Sequence, residues 1–508
     1  MPQTARRGTP TPPITLDVPA SAVRARLAGS AVAVDDGAIS RLKAVCERVE
    51  TDDEARTEAG RDWWPLAISW ALGGEVAARP AAVARPSTAA EVAAVLATCA
   101  DLRIPVTAAA GRSGVCGNSV PVFGGVVLDL TGLTGIVAVD DKSLLVDVRP
   151  GTFGDVLEDS LRARPEHPLT LGHWPQSIAL STVGGWLACR SAGQYSTRYG
   201  KIEDMVVGLE VALANGQLIR TGRTAPRAAV GPDLTQLFVG CEGTLGVITE
   251  ARLRAHPVPL VEGRSAFGFD SFAAGLDSCR RILRRGATPA VLRLYDVTES
   301  KRTFEGLGGG DRSVLIVLDE GEAELVNAIM GLVAAECRDA DRLDDALVEQ
   351  WLSHRNDVSA LESVIRQGII VDTIEIAARW SVLPAIYEEA IATLQAIDAT
   401  LVASAHQSHA YRDGACLYFT FAGRPAPVES ADRYYQRAWD AVMRVTLSRG
   451  GALSHHHGIG INRGRFVAPA LGPAFDVLVA VKAALDPHGI LNPGKLGLPS
   501  PFGEVPWP

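Results

Sequence analysis

A chain of 508 residues, 47% of them hydrophobic and without a low-complexity tract, is too long for one ordinary core. It predicts a folded, enzyme-sized protein of two or three domains and excludes a disordered chain. A formal charge of −9 argues against general nucleic-acid binding, so anion contacts must be sought residue by residue. The eight cysteines are widely spaced with no CxxC pair, which fits isolated thiols in a reducing compartment and not a disulfide scaffold or zinc knot.

Met1–Leu16 carries Arg6, Arg7 and several prolines but lacks the apolar core of a signal peptide, so cytoplasm is the expected location. Ala38–Glu58 reads as a charged helix, and Trp63, Trp64 and Trp70 as aromatics packed on the main body. Pro80 and Pro86 mark a boundary. Thr88–Ala100 then reads as a helix with Glu91 in its first turn, followed by strands at Ile104–Thr107, Gly125–Leu130 and Ser143–Val148. No GxGxxG follows a strand, and the spacing is not a regular βαβ repeat, so a Rossmann fold is disfavoured.

After Pro257–Pro259 the pattern restarts. Strands are predicted at Ala266–Phe269, Ala290–Asp296 and Ser313–Leu318, with helices at Phe272–Arg284 and Ala323–Glu336. Asp345–Gln367 reads as a polar helical region, Leu394–Val402 as a helix–strand junction, Cys416–Ala422 as a strand and Ser430–Leu447 as a helix. Phe475–Asp486 is a helix stopped by Pro487, and the tail after it folds back onto an earlier domain. No uninterrupted apolar segment reaches membrane-spanning length.

Three motifs carry the chemistry. Leu171–Asp204, with Cys241–Thr249, sets Gly184 and Gly185 beside Ser177, Ser181 and Thr182, where a flat multi-ring ligand could approach the backbone. A Gly-rich surface loop network is the bland alternative. Pro105–Gly117 follows a strand, and amides around Gly111, Arg112, Ser113 and Gly114 could cradle a pyrophosphate or form an ordinary turn. SHHHGIG, Ser454–Gly460, presents three adjacent imidazoles able to exchange a proton, orient a substrate or bind an anion. A solvated turn remains open; a zinc site would need further ligands, and no metal is expected.

STVGGW at Ser181–Trp186, the GxxSxxYG run ending at Gly200, IED at Ile202–Asp204 and EGTLGVIT at Glu242–Thr249 resemble the PCMH-type, vanillyl-alcohol-oxidase flavoprotein superfamily. From about Trp63 to Lys495 the chain is most similar to the alkyldihydroxyacetonephosphate synthase branch; EGTLGVIT is shared with FAD-linked lactate and glycolate dehydrogenases. The resemblance implies an α+β fold. It comprises an N-terminal, partly helical extension (1–79), a two-subdomain PCMH-type FAD-binding domain (80–260), an α/β substrate cap (261–450) and a C-terminal segment (451–508) returning to the FAD domain. FAD is expected to be noncovalent, since Ser113 and no histidine stands between Pro105 and Gly117. Ala110 and Arg112 depart from the usual glycines, and Arg112 could contact phosphate directly.

By resemblance, the second wall of the FAD site is Pro175, Gln176, Ser177, Thr182 and Gly184, with backbone contacts from Glu242, Gly243, Thr244, Gly246, Val247 and Ile248. Lys495, in LNPGKL, contacts the flavin edge or is an exposed lysine of a terminal turn. Tyr411 corresponds to a family tyrosine in proton transfer, to act with His455, His456 and His457. Arg293, with Arg412 as companion, corresponds to a residue binding a substrate phosphate or carboxylate; a structural salt bridge is the alternative. HHHG favours the synthase reaction, in which the acyl group of acyl-dihydroxyacetone phosphate is exchanged for a fatty alcohol in ether-lipid synthesis. LNPGKL favours the alternative, an FAD-linked oxidoreductase of a 2-hydroxy acid or related small alcohol. A non-catalytic flavin-binding protein is the third reading. The expected partner is a small-molecule or lipid substrate bearing phosphate or carboxylate; peripheral membrane contact and a homodimer stay open.

Overall fold

The computed structural model describes residues 14–27, 31–222, 228–304, 306, 309–358, 360–425, 431–505 and 507. Most of Met1–Leu16, and Ser430 at the start of a predicted helix, lie outside the described residues. The architecture is α+β: two larger sheets, with two short strand pairs beside them, form the N-terminal unit, and a seven-stranded sheet forms a cap over it.

The first sheet runs Val49–Glu50, Ala82–Ala84, Val126–Asp129, Val106–Ala109, the last three parallel. Helix Ala89–Leu102 covers it. Thr88 Oγ1 accepts from the Glu91 amide at 3.1 Å and Glu91 Oε2 accepts from the Thr88 amide at 3.2 Å, a capping box that fixes where the helix starts. Its buried Val92, Val95, Leu96 and Cys99 pack with Ala84, Val106 and Leu128 of the strands. The helix predicted over Ala38–Glu58 is two, Asp36–Val45 and Asp53–Ala59. Between them Val49–Glu50 pairs with the sheet edge, and Asp52 accepts from the Ala55 amide at 2.9 Å to start the second.

The second sheet is antiparallel, in the order Leu218–Thr221, Val206–Ala212, Val247–Arg254, Leu145–Val148, Ile136–Asp140. The cap sheet has seven antiparallel strands, in the order Asp341–Leu343, Val261–Phe269, Ser313–Gly321, Val291–Tyr295, Thr400–Ala410, Gly414–Gly423, Ile370–Arg379. Helices Phe272–Arg284 and Ala323–Glu336 match the predicted bounds, whereas the region predicted over Asp345–Gln367 divides into Ala346–His354 and Ala360–Arg366.

Strand alternation gives this cap sheet two chemically different faces. Leu292, Leu294, Ile374, Ile376, Ala405, Leu417 and Phe419 join helices Phe272–Arg284, Leu383–Gln395 and Ala431–Ser448 in one core. The intervening Arg293, Thr373, Glu375, His406, Ser408 and Tyr418 point the other way. His409 has the wrong parity for that polar face, but the ladder slips between Ser408 and Ala410 and His409 adopts φ +43°, so a β-bulge re-aims it.

The ends of the chain tie the units together. Trp64 is fully buried, donates to Tyr435 Oη of the cap at 3.0 Å and packs near Trp70 and Trp507. After helix Ala474–Leu485 the tail returns to the first sheet: the Val106 amide donates to Ile490 O at 2.8 Å and the Asn492 amide to Val106 O at 2.7 Å. Among the described residues no single helix is long and apolar enough to cross a membrane.

Candidate active site

A cavity of about 350 Å³ lies between the N-terminal unit and the polar face of the cap sheet. Its lower side is built from backbone. Gly111, Arg112, Ser113 and Gly114 line it, as do Pro175, Gln176, Ser177, Thr182, Gly184 and Gly185, and then Glu242, Gly243, Gly246, Val247 and Ile248. Two glycines are there for chain packing. A Cβ on Gly111 would stand 2.2 Å from Leu180 O, and one on Gly184 2.6 Å from the Pro150 Cβ. At Gly185 a Cβ would meet only Thr182 Oγ1, at 3.6 Å, and at Gly243 only the Ala108 Cβ, at 3.5 Å, so these two positions leave room for a ligand.

Arg112 sits at φ +49° with its side chain 7% exposed, so the loop tolerates it in a left-handed turn. Its Nη1 lies 3.8 Å from Asp129 Oδ2, too far to hydrogen-bond, and Asp129 is already paired with Arg85. Arg112 Nη1, Ser119 Oγ and Thr182 Oγ1 are buried without partners on this wall. Unpaired buried donors along a glycine-lined cleft fit the diphosphate and ring edge of a dinucleotide.

The predicted cofactor residues Thr244 and Lys495 do not line the cavity. Thr244 Oγ1 donates to Cys241 O at 2.7 Å, and its carbonyl accepts from Lys482 Nζ at 2.8 Å. Lys495 is neither exposed nor at the cavity: it is fully buried and donates to Val120 O at 2.7 Å and Asn492 Oδ1 at 3.3 Å. Burial holds its affinity for a proton down to about 8. Glu242 lines the cavity and also accepts from the amides of Ile459 at 2.5 Å and Gly460 at 2.9 Å.

The upper side is built from side chains. Arg293, Thr373, His406, His409, Tyr418, His456 and His457 line it. Among the described residues Arg293 has no carboxylate partner: Nη1 donates to Ser408 Oγ at 3.2 Å, Nη2 to His406 Nε2 at 2.7 Å, and buried Nε has no partner. Since His406 Nε2 accepts, its proton is on Nδ1, 2.7 Å from Glu299 Oε2. Burial, with Arg293 adding to it, lowers the His406 pKa, so the imidazole is neutral. The salt-bridge alternative for Arg293 therefore does not apply. Arg412, its predicted companion, does not line the cavity; it is exposed on a surface depression with Arg284 and Trp380.

The three histidines divide. His456 and His457 face the cavity; His455 does not line it, stacking between His409 and Tyr411. Tyr411 also stands behind the wall, its hydroxyl 3.1 Å from Ser196 Oγ, which contacts His409 Nδ1 at 2.8 Å. The hydroxyl facing the cavity is that of Tyr418, 2.7 Å from His456 Nε2. Glu375, buried completely, accepts from Ser454 Oγ at 2.6 Å, the His457 amide at 3.0 Å, the His455 amide and Arg463 Nη1 at 2.9 Å. Burial, opposed by Glu375 3.8 Å from Nδ1, brings the His457 pKa down to about 4, and burial lowers those of His409, His455 and His456 well below the usual value. Ring nitrogens of His409, His455 and His456 lie within 4.8 Å of one another, close enough for a cation, yet His409 Nδ1 and His456 Nε2 already have hydroxyl partners.

Sequence reasoning missed His406, His409, Tyr418, Glu375 and Ser196. Period-two alternation in AHQSH and CLYFT could have given His406 and Tyr418. Nothing local signals the bulge that turns His409, or the pairing of Glu375 with a turn about eighty residues later.

Residues 80–222 match the family model described as an FAD binding domain, and residues 261–496 that of FAD linked oxidases, C-terminal domain. An uncharacterized FAD-linked oxidoreductase of Escherichia coli K12 is 33% identical over 77% of this chain and 83% of its own length. A glycolate oxidase subunit of Bacillus subtilis is 28% identical over 87% and 93%. A solved alkyldihydroxyacetonephosphate synthase superposes with a TM-score of 0.76 over 96% of this chain and 88% of its own, at 22% identity, a likeness of fold.

Proposed function

The chain belongs to the PCMH-type FAD-linked oxidoreductases, enzymes dependent on FAD, here noncovalent, and on that premise we propose that it oxidises a small alcohol bearing a carboxylate or phosphate, with a 2-hydroxy acid as the simplest substrate. The observation that carries this reading is Arg293, a cavity guanidinium without a carboxylate and with an unused buried Nε, set among neutral imidazoles. A planar fork of donors with no carboxylate partner among the described residues is matched to an anion.

FAD, when bound, supplies the two-electron acceptor. Gly111–Gly114, Thr182 and Gly185 would hold it, with Arg112 toward the diphosphate. Arg293 binds and orients the substrate anion. His457, uncharged in the resting site, takes the hydroxyl proton; the substrate's charge raises its affinity for that proton, and Glu375 stabilises the imidazolium. Tyr418 fixes the orientation of His456.

The second reading is the alkyldihydroxyacetonephosphate-synthase exchange. It is favoured by the HHHG turn, the fold likeness and an apolar stretch of the cavity, where Trp63, Val115, Leu180 and Val358 could receive an alkyl chain. The test is to mix the purified flavoprotein anaerobically with a panel of 2-hydroxy acids and phosphorylated alcohols. Bleaching of the flavin band by one of them, followed by acceptor reduction, is expected. No bleaching, with ether formation from acyl-dihydroxyacetone phosphate and a long-chain alcohol, would replace the first reading by the second.

A further inference from the structure

Arg412, displaced from the active site, belongs to another cluster. Helix Phe272–Arg284 ends in Arg280, Arg281 and Arg284, and Arg285 follows. Two carboxylates serve three of these: Asp277 pairs with Arg280 and Arg281, and Glu336 with Arg281 and Arg285. Arg284 and Arg412 are exposed, and neither pairs with a carboxylate among the described residues, although Asp413 follows Arg412 in sequence. Together with Arg280, Arg285, Gly286 and Trp380 they line one surface depression.

The attraction of cations to a helix C-terminus accounts for Arg284 and Arg285. It does not account for Arg412 and Trp380, which follow cap strands Thr400–Ala410 and Ile370–Arg379 and also line the depression. Gly286, at φ +83°, would present a Cβ with no neighbour within 4 Å among the described residues. A concentration of guanidiniums around an empty concavity, on a chain with net charge −9, opposes the overall field and is relieved by a bound anion.

We propose that Arg284, Arg412, Arg280 and Arg285 form a second anion site, distinct from Arg293, for a small ligand carrying phosphate groups, with Trp380 as its flat wall. Guanidiniums match phosphate oxygens in pairs, and a ligand with two phosphates can span helix and turn. The site adjoins the active site from behind. Trp380 Nε1 donates to Tyr411 O at 2.9 Å, and the Tyr411 ring stacks on His455 at 5.5 Å. Drawing Arg412 toward Arg284 therefore bears on the turn that backs the histidine wall.

The test is calorimetric titration of the FAD-loaded protein with inorganic pyrophosphate, using wild type, R293A and the R284A/R412A double variant, each checked for flavin content and circular dichroism. Saturable binding is expected in wild type and R293A, weakened at least about tenfold in the double variant, which loses two guanidinium donors to the anion. Equal affinity in the double variant, or binding abolished by R293A, overturns the proposal. Cosedimentation with phosphatidate vesicles, against phosphatidylcholine vesicles, separates the sources. Vesicle binding sensitive to R284A/R412A without pyrophosphate binding assigns the site to a lipid headgroup, and the reverse to a free phosphate compound. Binding of neither rejects it.

Discussion

The two walls of the cavity are made from different materials. The lower wall is main chain, with glycines at 111 and 184 where another backbone or proline comes within 2.2–2.6 Å of a would-be Cβ. The upper wall is side chain, an array of uncharged imidazoles around an uncompensated Arg293, backed by buried carboxylates. The first is therefore limited chiefly by volume, the second chiefly by charge. Binding of the cofactor and selection of the substrate are separable properties of this fold, and substitutions should break one without the other.

Gly111→Val is expected to have the largest effect. A branched side chain pressed on Leu180 O forces two loops apart, and FAD affinity should fall at least about 100-fold, read as flavin lost on desalting from a protein still folded by circular dichroism. Retention of flavin would mean that this wall is not volume-limited.

Glu375→Gln attacks the opposite wall. It leaves Arg463 buried without its charge partner, so about 3 kcal/mol of stability should be lost, measurable by chemical denaturation. The carboxylate raises the His457 pKa, which lies at about 4, so its removal moves the acid limb of kcat/KM to lower pH while turnover drops. An unmoved acid limb would assign the loss to structure alone. Glu375→Asp keeps the charge and should restore part of that limb.

Arg293→Ala should raise KM for an anionic substrate about 10- to 100-fold, with kcat and bound FAD little changed. Tyr411→Phe should have the smallest effect, below about tenfold on turnover. Its hydroxyl contacts Ser196 and not the cavity, and a single neutral hydrogen bond contributes about 1 kcal/mol. A loss of several hundredfold would show that protons pass through Ser196 to Tyr411.

The sequence was most readable where a motif and its structural reason are local. The Thr88–Glu91 capping box, the helix at Phe272–Arg284 and the loops around Gly111 and Gly243 all fall in that class. Lys495 was misread because an ammonium in a terminal turn suggests an exposed group, whereas two carbonyl-type contacts from two segments can bury it. Arg412 was misread by adjacency: at the turn after the bulge it leaves the sheet on the side away from Arg293. The upper wall was the least readable part, since strand parity there is reset at His409 and its charges are balanced by residues distant in sequence.

The histidine turn has one more consequence. Its amides at His455 and His457 donate to Glu375, on a cap strand, while those at Ile459 and Gly460 donate to Glu242, in the flavin-binding unit. A single short loop is thus riveted at one end to each half of the molecule. Neither half can melt alone without stripping a buried carboxylate of its donors, so the two halves are expected to unfold in one calorimetric transition, with these four loop amides exchanging with solvent as slowly as those of the sheets.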